Sequence, residues 1–215
     1  MTIYFVPGLA NDKRIFKNLA EELSEYNLVF LEHLPHLSYE ETIGQYAIRL
    51  IHHYKSFDVD SIIMGLSLGG LIAVEMSKIL NFKKVILLST VKHKNELPPI
   101  IKLASKLKIY LPPLLIKSTI KTISILFNVT NRTGAEYLSK IIKDSDEKHM
   151  IWAQKAVISW NNNLIPDNYL HIHGTYDEIF PISCVKPTHR IKKGTHYMVM
   201  DRAKEIASII KSNIL

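Results

Sequence analysis

The chain carries one cysteine, Cys184, in 215 residues. That excludes an intramolecular disulfide and any cysteine cluster able to hold a metal, and a reducing, cytoplasmic setting is the expectation. Glycine and proline are also scarce, at 8 and 9 residues, which excludes collagen-like repeats and low-complexity architecture. No apolar run is both long and uncharged. The greasiest stretch, residues 109–127, is interrupted by Pro112, Pro113, Lys117 and Lys121, which would be costly in a lipid-spanning helix, so no transmembrane segment is predicted. The first residues lead straight into an apolar run, Ile3–Val6, without the basic head and cleavage site of a secretory signal. The sequons at Asn128 and Asn131 therefore read as chance matches.

Against those absences, 47% of the residues are hydrophobic and 22% charged. This is the composition of one compact domain spanning residues 1–215. Lys and Arg outnumber Asp and Glu by 27 to 20, an excess that could attract anionic membranes, nucleic acid or acidic ligands and says nothing about fold. Short apolar runs alternate with amphipathic stretches at Ile3–Val6, Leu28–Leu31, Ser61–Met64 and Val85–Leu88, as in a mostly parallel sheet with crossover helices. Ile15, Phe16, Leu19 and Leu23 recur at helical spacing, as do Leu71, Ile72, Met76 and Ile79. Ser38 and Glu41 match a capping box ahead of Ile43, Tyr46, Ala47, Leu50, Ile51 and Tyr54.

The alternation stops after Thr90 and resumes at Tyr169–His173. A structureless loop of that length is improbable in a compact domain, so residues 91–160 are predicted as a helical insertion. Helical spacing recurs in Ile100, Leu103, Ala104 and Leu107, in Tyr137, Leu138, Ile141 and Ile142, and in Trp152, Ala156, Val157 and Trp160. Pro112-Pro113 should break it into at least two pieces. A last strand near His189–Lys192 precedes a helix expected from about Asp201, with Ala203, Ile206, Ala207, Ile210 and Ile214 inward.

The most specific motif is Gly65-Leu66-Ser67-Leu68-Gly69, which ends a strand run and opens a helix pattern. A strand that turns sharply into a helix holds Ser67 in strained geometry, and side chains at Gly65 and Gly69 would collide there. The turn presents the hydroxyl and places the Leu68 amide at a helix N-terminus, where it can stabilise an oxyanion. A serine is a weak nucleophile until a base takes its proton, so a histidine and an acid must follow. Asp177 follows the run Tyr169–His173, and His196 follows the last strand run. Adjacent Glu178 is the reserve acid.

The order Ser67, Asp177, His196 in this strand context resembles the α/β-hydrolase superfamily over nearly the whole chain. The resemblance implies a minimal α/β fold of about six mostly parallel strands, and a cap formed by residues 91–160. Pro7-Gly8-Leu9 resembles the family's oxyanion segment, which implies a second oxyanion donor at the Leu9 amide, with Pro7 standing where the family has histidine. The implied activity is ester or thioester hydrolysis of a small or hydrophobic acyl substrate through an acyl-enzyme on Ser67, without metal or organic cofactor. A carbon–carbon hydrolase or lyase would use the same three residues. A small-molecule receptor or a membrane-surface binding protein on this fold is the alternative from another class.

Each residue has a plainer competitor. Ser67 could be a helix cap, and Asp177 a turn residue. His171 and His173 share one strand face and read as structural, and no histidine forms a metal site with a neighbouring carboxylate or thiol. Lys102, Lys106, Lys108, Lys117 and Lys121 are interleaved with leucine and isoleucine, which suits either a solvated cap face or an interfacial helix; the solvated face is the simpler reading, with peripheral membrane contact second. No nucleic-acid module is visible.

Overall fold

The computed structural model describes residues 1–115, 117–118 and 132–214. The two sequons and Lys121 lie outside these residues. Six strands, β1 (Thr2–Val6), β2 (Asn27–Phe30), β3 (Ile62–Leu66), β4 (Lys84–Leu88), β5 (Tyr169–Gly174) and β6 (His189–Ile191), form one sheet. Their order is β2-β1-β3-β4-β5-β6, and every pairing is parallel. All residues of β1 and β3 are buried, which is why their sequences read as continuous apolar runs rather than alternating ones.

Alternate side chains feed two apolar layers. Ile3, Phe5, Met64, Leu66, Ile86 and Leu88 face a layer completed by Ile15, Phe16, Leu19 and the C-terminal helix. Tyr4, Val6, Ile63, Val85 and Leu87 face the other, completed by α2 (Ile43–Tyr54) and α3 (Leu68–Ser77). Ile15 and Phe16 lie in a 3₁₀ turn, Lys13–Phe16, that runs into α1 (Lys17–Glu22).

The start of α2 differs from expectation. Thr42 is the N-cap: its side chain accepts from the Gln45 N–H at 3.2 Å, and the Gln45 side chain accepts from the Thr42 N–H at 2.9 Å. Glu41 is instead buried, accepts the Leu37 N–H at 2.9 Å and pairs with Arg49 at 2.6 Å. An ion pair with this much hydrogen bonding outcompetes a cap contact at an exposed helix end. Ile79, expected inward, lies beyond the end of α3 and is 52% exposed.

Between β4 and β5 the described residues include a 3₁₀ turn, the helices α4 (Pro99–Leu107), α5 (Arg132–Asp144) and α6 (Glu147–Ser159), and helical residues 113–115 and 117–118. Leu111 and Pro112 are non-helical, so the proline pair does interrupt helix. Leu138, Ile142 and Met150 enter one apolar layer, and Trp152, Ala156 and Trp160 the other. The Trp152 indole donates to the Glu41 carbonyl at 2.8 Å. In α4 the spacing identifies a helix but not a buried one: Ile100 is 70%, Leu103 50% and Leu107 58% exposed. The C-terminal helix is broken at Arg202 into α7 (Met198–Asp201) and α8 (Ala203–Ile214), so helix begins two residues after His196 rather than near Asp201. Among the described residues no helix is long and apolar enough to cross a membrane.

Candidate active site

Ser67 joins β3 to α3 with φ 53° and ψ −120°, a region that costs a non-glycine residue of order 1–3 kcal/mol. The turn is possible because its neighbours lack side chains. A Cβ on Gly65 would lie 2.1 Å from the Gly69 carbonyl oxygen, and one on Gly69 would lie 2.0 Å from the Val6 carbonyl oxygen. The backbone of Ser67 is held from β4 and the loop after it: its N–H donates to Leu88 at 3.0 Å, and its carbonyl accepts the Thr90 hydroxyl at 2.7 Å. Thr90 was not legible as a site residue, because its role lies in a contact 23 residues away.

The register of β1 on β3 sets Val6 beside Gly65, which delivers Pro7-Gly8-Leu9 to the elbow. A Cβ on Gly8 would lie 3.2 Å from Cβ of Ser67. His33 Nε2 lies 3.1 Å from the Gly8 carbonyl oxygen; a carbonyl only accepts, so that nitrogen carries the proton. Asn11 donates to the Leu9 carbonyl at 2.9 Å. The turn with proline at its head is thus tied down by His33, which follows β2. Neither the Leu9 nor the Leu68 N–H donates to a protein acceptor among the described residues, and Leu68 opens a helix, where such donors are unpaired.

Asp177 and His196 meet at the other end of the cleft. A Cβ on Gly174 would lie 2.2 Å from the Gly194 carbonyl oxygen, so these two glycines allow the loops after β5 and β6 to touch. His196 Nδ1 lies 3.0 Å from each carboxylate oxygen of Asp177, which puts the proton on Nδ1 and leaves Nε2 as the ring's acceptor. Asp177 also accepts the Ile179 and Phe180 N–H groups, at 3.0 and 2.8 Å. Burial pushes its carboxyl up, but His196, His173 and the Phe180 amide together outweigh burial and leave it below the ordinary value.

It is Asp177, not Glu178, that holds His196 Nδ1. The Glu178 carboxylate oxygens are buried, and burial raises its pKa. His173 has more to do than a core residue: its Nε2 lies 2.8 Å from the Phe180 carbonyl and 3.3 Å from Asp177 Oδ2. Both are acceptors, so Nε2 carries a proton directed at the acid loop. Burial lowers the His173 pKa and keeps the ring neutral. A histidine one residue before the glycine of a strand-end Gly-x-x-Asp segment was the signal for this contact. His171 is buried, and burial lowers its pKa.

Leu9, Ser67, Leu68 and His196 line one cavity of about 400 Å³, whose wall is mainly apolar and includes side chains of α4, α6 and the segment after α4. Asp177 and His196 are hydrogen-bonded, whereas Ser67 shares the cavity with His196 without a direct hydrogen bond to it among the described residues. Catalytic hydrogen bonds are often long before substrate binds. A second cavity of similar size, lined by Arg14, Asp144 and His149, contains neither Ser67 nor His196. Among the described residues no group of three or more His, Cys, Asp or Glu is placed to hold a metal.

A strained serine elbow in the middle of a parallel sheet, with the acid and histidine on loops after later strands, defines the α/β-hydrolase fold, and solved structures agree. A lipase-esterase related protein from Clostridium acetobutylicum superposes with a TM-score of 0.73 at 18% identity, covering 99% of this chain and 93% of that one. A thermophilic esterase from Thermogutta terrifontis gives 0.72 at 15%, with 99% and 88% covered. A bromoperoxidase from Bacillus anthracis gives 0.74 at 14%, with 99% and 91% covered. The chain has the α/β-hydrolase fold. No protein-family model and no curated protein matches it.

Proposed function

We propose that the protein is a serine hydrolase that cleaves an ester or thioester of a hydrophobic acyl group, with Ser67, His196 and Asp177 as its triad. One observation carries this reading: Ser67, held in strained geometry at the elbow, opens into the same apolar cavity as a His196 whose Nδ1 is fixed by Asp177. Strain retained at one exposed side chain points to use of that side chain.

In the proposed reaction the Ser67 hydroxyl attacks the substrate carbonyl and passes its proton to His196 Nε2, while Asp177 stabilises the imidazolium. The Leu9 and Leu68 N–H groups receive the oxyanion. The carbon–oxygen or carbon–sulfur bond breaks, and His196 returns the proton to the leaving alcohol or thiol. His196 then takes a proton from water, the resulting hydroxide attacks the acyl-enzyme, and Ser67 recovers its proton as the acid departs. Residues 91–160 act as a cap, since α4, Ile109, Leu111 and α6 together supply most of the cavity's aliphatic wall.

The test is hydrolysis of p-nitrophenyl esters of increasing acyl length by wild type, Ser67→Ala and His196→Ala. Each substitution is expected to lower turnover by a factor of about 10⁴ or more, because the parts act as a unit. Near-normal turnover in a folded Ser67→Ala protein would exclude the mechanism.

A further inference from the structure

The basic excess of this chain is confined to one stretch. Between residues 97 and 135 there are five lysines and one arginine but no Asp or Glu, so the rest of the chain is nearly balanced, with 21 basic residues against 20 acidic. The same stretch holds the largest group of exposed apolar side chains among the described residues. On α4, Ile100, Leu103 and Leu107 recur at helical spacing and point to solvent, and Leu111 and Leu114 beyond it are also exposed.

This strip is held in place rather than loose. Ile101 of α4 packs into the apolar layer that contains Trp152 and Ala156 of α6. The Gln154 side chain accepts the Leu111 N–H at 2.6 Å and donates to the Leu111 carbonyl at 2.9 Å. It also borders the cavity entrance, because Ile100 and Leu111 line the Ser67 cavity and are themselves exposed. Lys106 and Lys108, both exposed, lie on the same segment.

We infer that α4 and residues 108–115 dock on an anionic lipid surface and pass membrane-resident acyl chains directly into the Ser67 cavity. Exposed aliphatics that are large and contiguous mark an interaction site, and lysines beside them are the complement of an anionic headgroup layer. A nucleic acid would satisfy the lysines but leave the leucines in water. A second copy of the chain would set lysine against lysine, because the stretch has no acid to answer them. The solvated-face reading of the sequence accounts for the lysines, but not for a helix with no buried residue. The inference rests on the hydrolase reading only for what happens to the lipid after docking.

The experiment is sedimentation of the full chain with vesicles of phosphatidylcholine alone and with vesicles of equal parts phosphatidylcholine and phosphatidylglycerol. Binding is expected on the anionic vesicles and little on the neutral ones. Replacing Lys106 or Lys108 by Gln should weaken binding roughly fivefold for each lysine. The double variant Leu103→Asp, Leu107→Asp should abolish it while leaving hydrolysis of a soluble short-chain ester unchanged, since neither leucine lines the cavity. Absence of binding to anionic vesicles overturns the inference. So does binding that the leucine substitutions leave intact, which would be charge attraction that any polyanion could supply. Ser67→Ala should sediment like wild type, and a wild-type chain that sediments but hydrolyses no ester would refute the hydrolase reading and leave docking in place.

Discussion

His173 and Asp177 are joined by a contact of 3.3 Å, from Nε2 to the carboxylate oxygen Oδ2 that also lies 3.0 Å from His196 Nδ1. One buried carboxylate thus serves two histidines of different kinds. The His173 proton is fixed, shared with the Phe180 carbonyl at 2.8 Å, whereas His196 lines the cavity.

His173 is expected to be a positioning residue. His173→Phe removes a donor from Asp177, which makes the carboxylate a stronger partner for the imidazolium of His196. The acid limb of the kcat/KM profile should then move to higher pH, and the rate at its plateau should fall about tenfold as the loop at 177–180 loosens. His173→Gln, whose amide can still donate, should restore most of both. A rate loss with an unmoved acid limb would reduce His173 to packing.

Asp177→Asn should be far more damaging than Glu178→Gln. The amide can donate to His196 Nδ1, which favours the tautomer with its proton on Nε2, unable to accept from Ser67; a loss of about 10⁴ in kcat is expected. His196 Nδ1 is held by Asp177 and not by Glu178, so Glu178→Gln should stay within about threefold of wild type, a change worth less than about 1 kcal/mol. Ester hydrolysis by the two purified variants, side by side, decides it.

Stability should fall as the solution is acidified below about pH 6.5, the ordinary histidine value. His149, His171 and His173 are buried, and burial lowers the pKa of each, for His149 to about 2. Each group's folded value lies below its unfolded one. Its stabilising contribution is therefore complete above about 6.5 and is lost as pH falls toward the folded value, at up to about 1.4 kcal/mol per pH unit for each ring. Asp201, pushed up to about 6 chiefly by partial desolvation, works in the opposite sense, but it is exposed and solvent screening keeps its share small. Urea unfolding at several pH values should show the decline, and His149→Phe should flatten it by about one ring's share.

The N-terminus of α2 separates two capping assignments. Thr42→Ala should cost about 1 kcal/mol, the usual loss for an N-cap, whereas Ser38→Ala, which removes only an exposed turn contact from the Glu40 N–H at 3.2 Å, should stay within about 0.5 kcal/mol. Chemical denaturation midpoints distinguish them, and the reverse order would restore the box at Ser38 and Glu41.

The contrast at α2 shows what the sequence could convey. Its apolar face was legible because Tyr46, Ala47 and Leu50 repeat with the helix period, but two overlapping boxes, Ser38 with Glu41 and Thr42 with Gln45, are equivalent as text. The choice was made by Arg49, which draws Glu41 into the interior. The strands were legible for a similar reason: a parallel sheet buried on both faces leaves continuous apolar runs. Ser67, Asp177 and His196 could be proposed from the sequence because each follows such a run. The approach of Gly174 to Gly194 and the Thr90 contact to the elbow are encounters between distant segments, and no local pattern encodes them. In α4, periodicity revealed a helix but could not tell whether its apolar side would meet protein or solvent.

The sheet order divides this site between centre and margin. Ser67 grows from β3, flanked on both sides by strands, whereas His196 follows β6, a three-residue strand at the edge. Edge segments with few partners open first. Mild denaturant should therefore detach the base while the nucleophile's scaffold stands, so that activity disappears before the bulk of the helix and sheet signal does. The protein's working lifetime would then be set by three marginal residues, and tightening β6 would prolong it more than any improvement to the core.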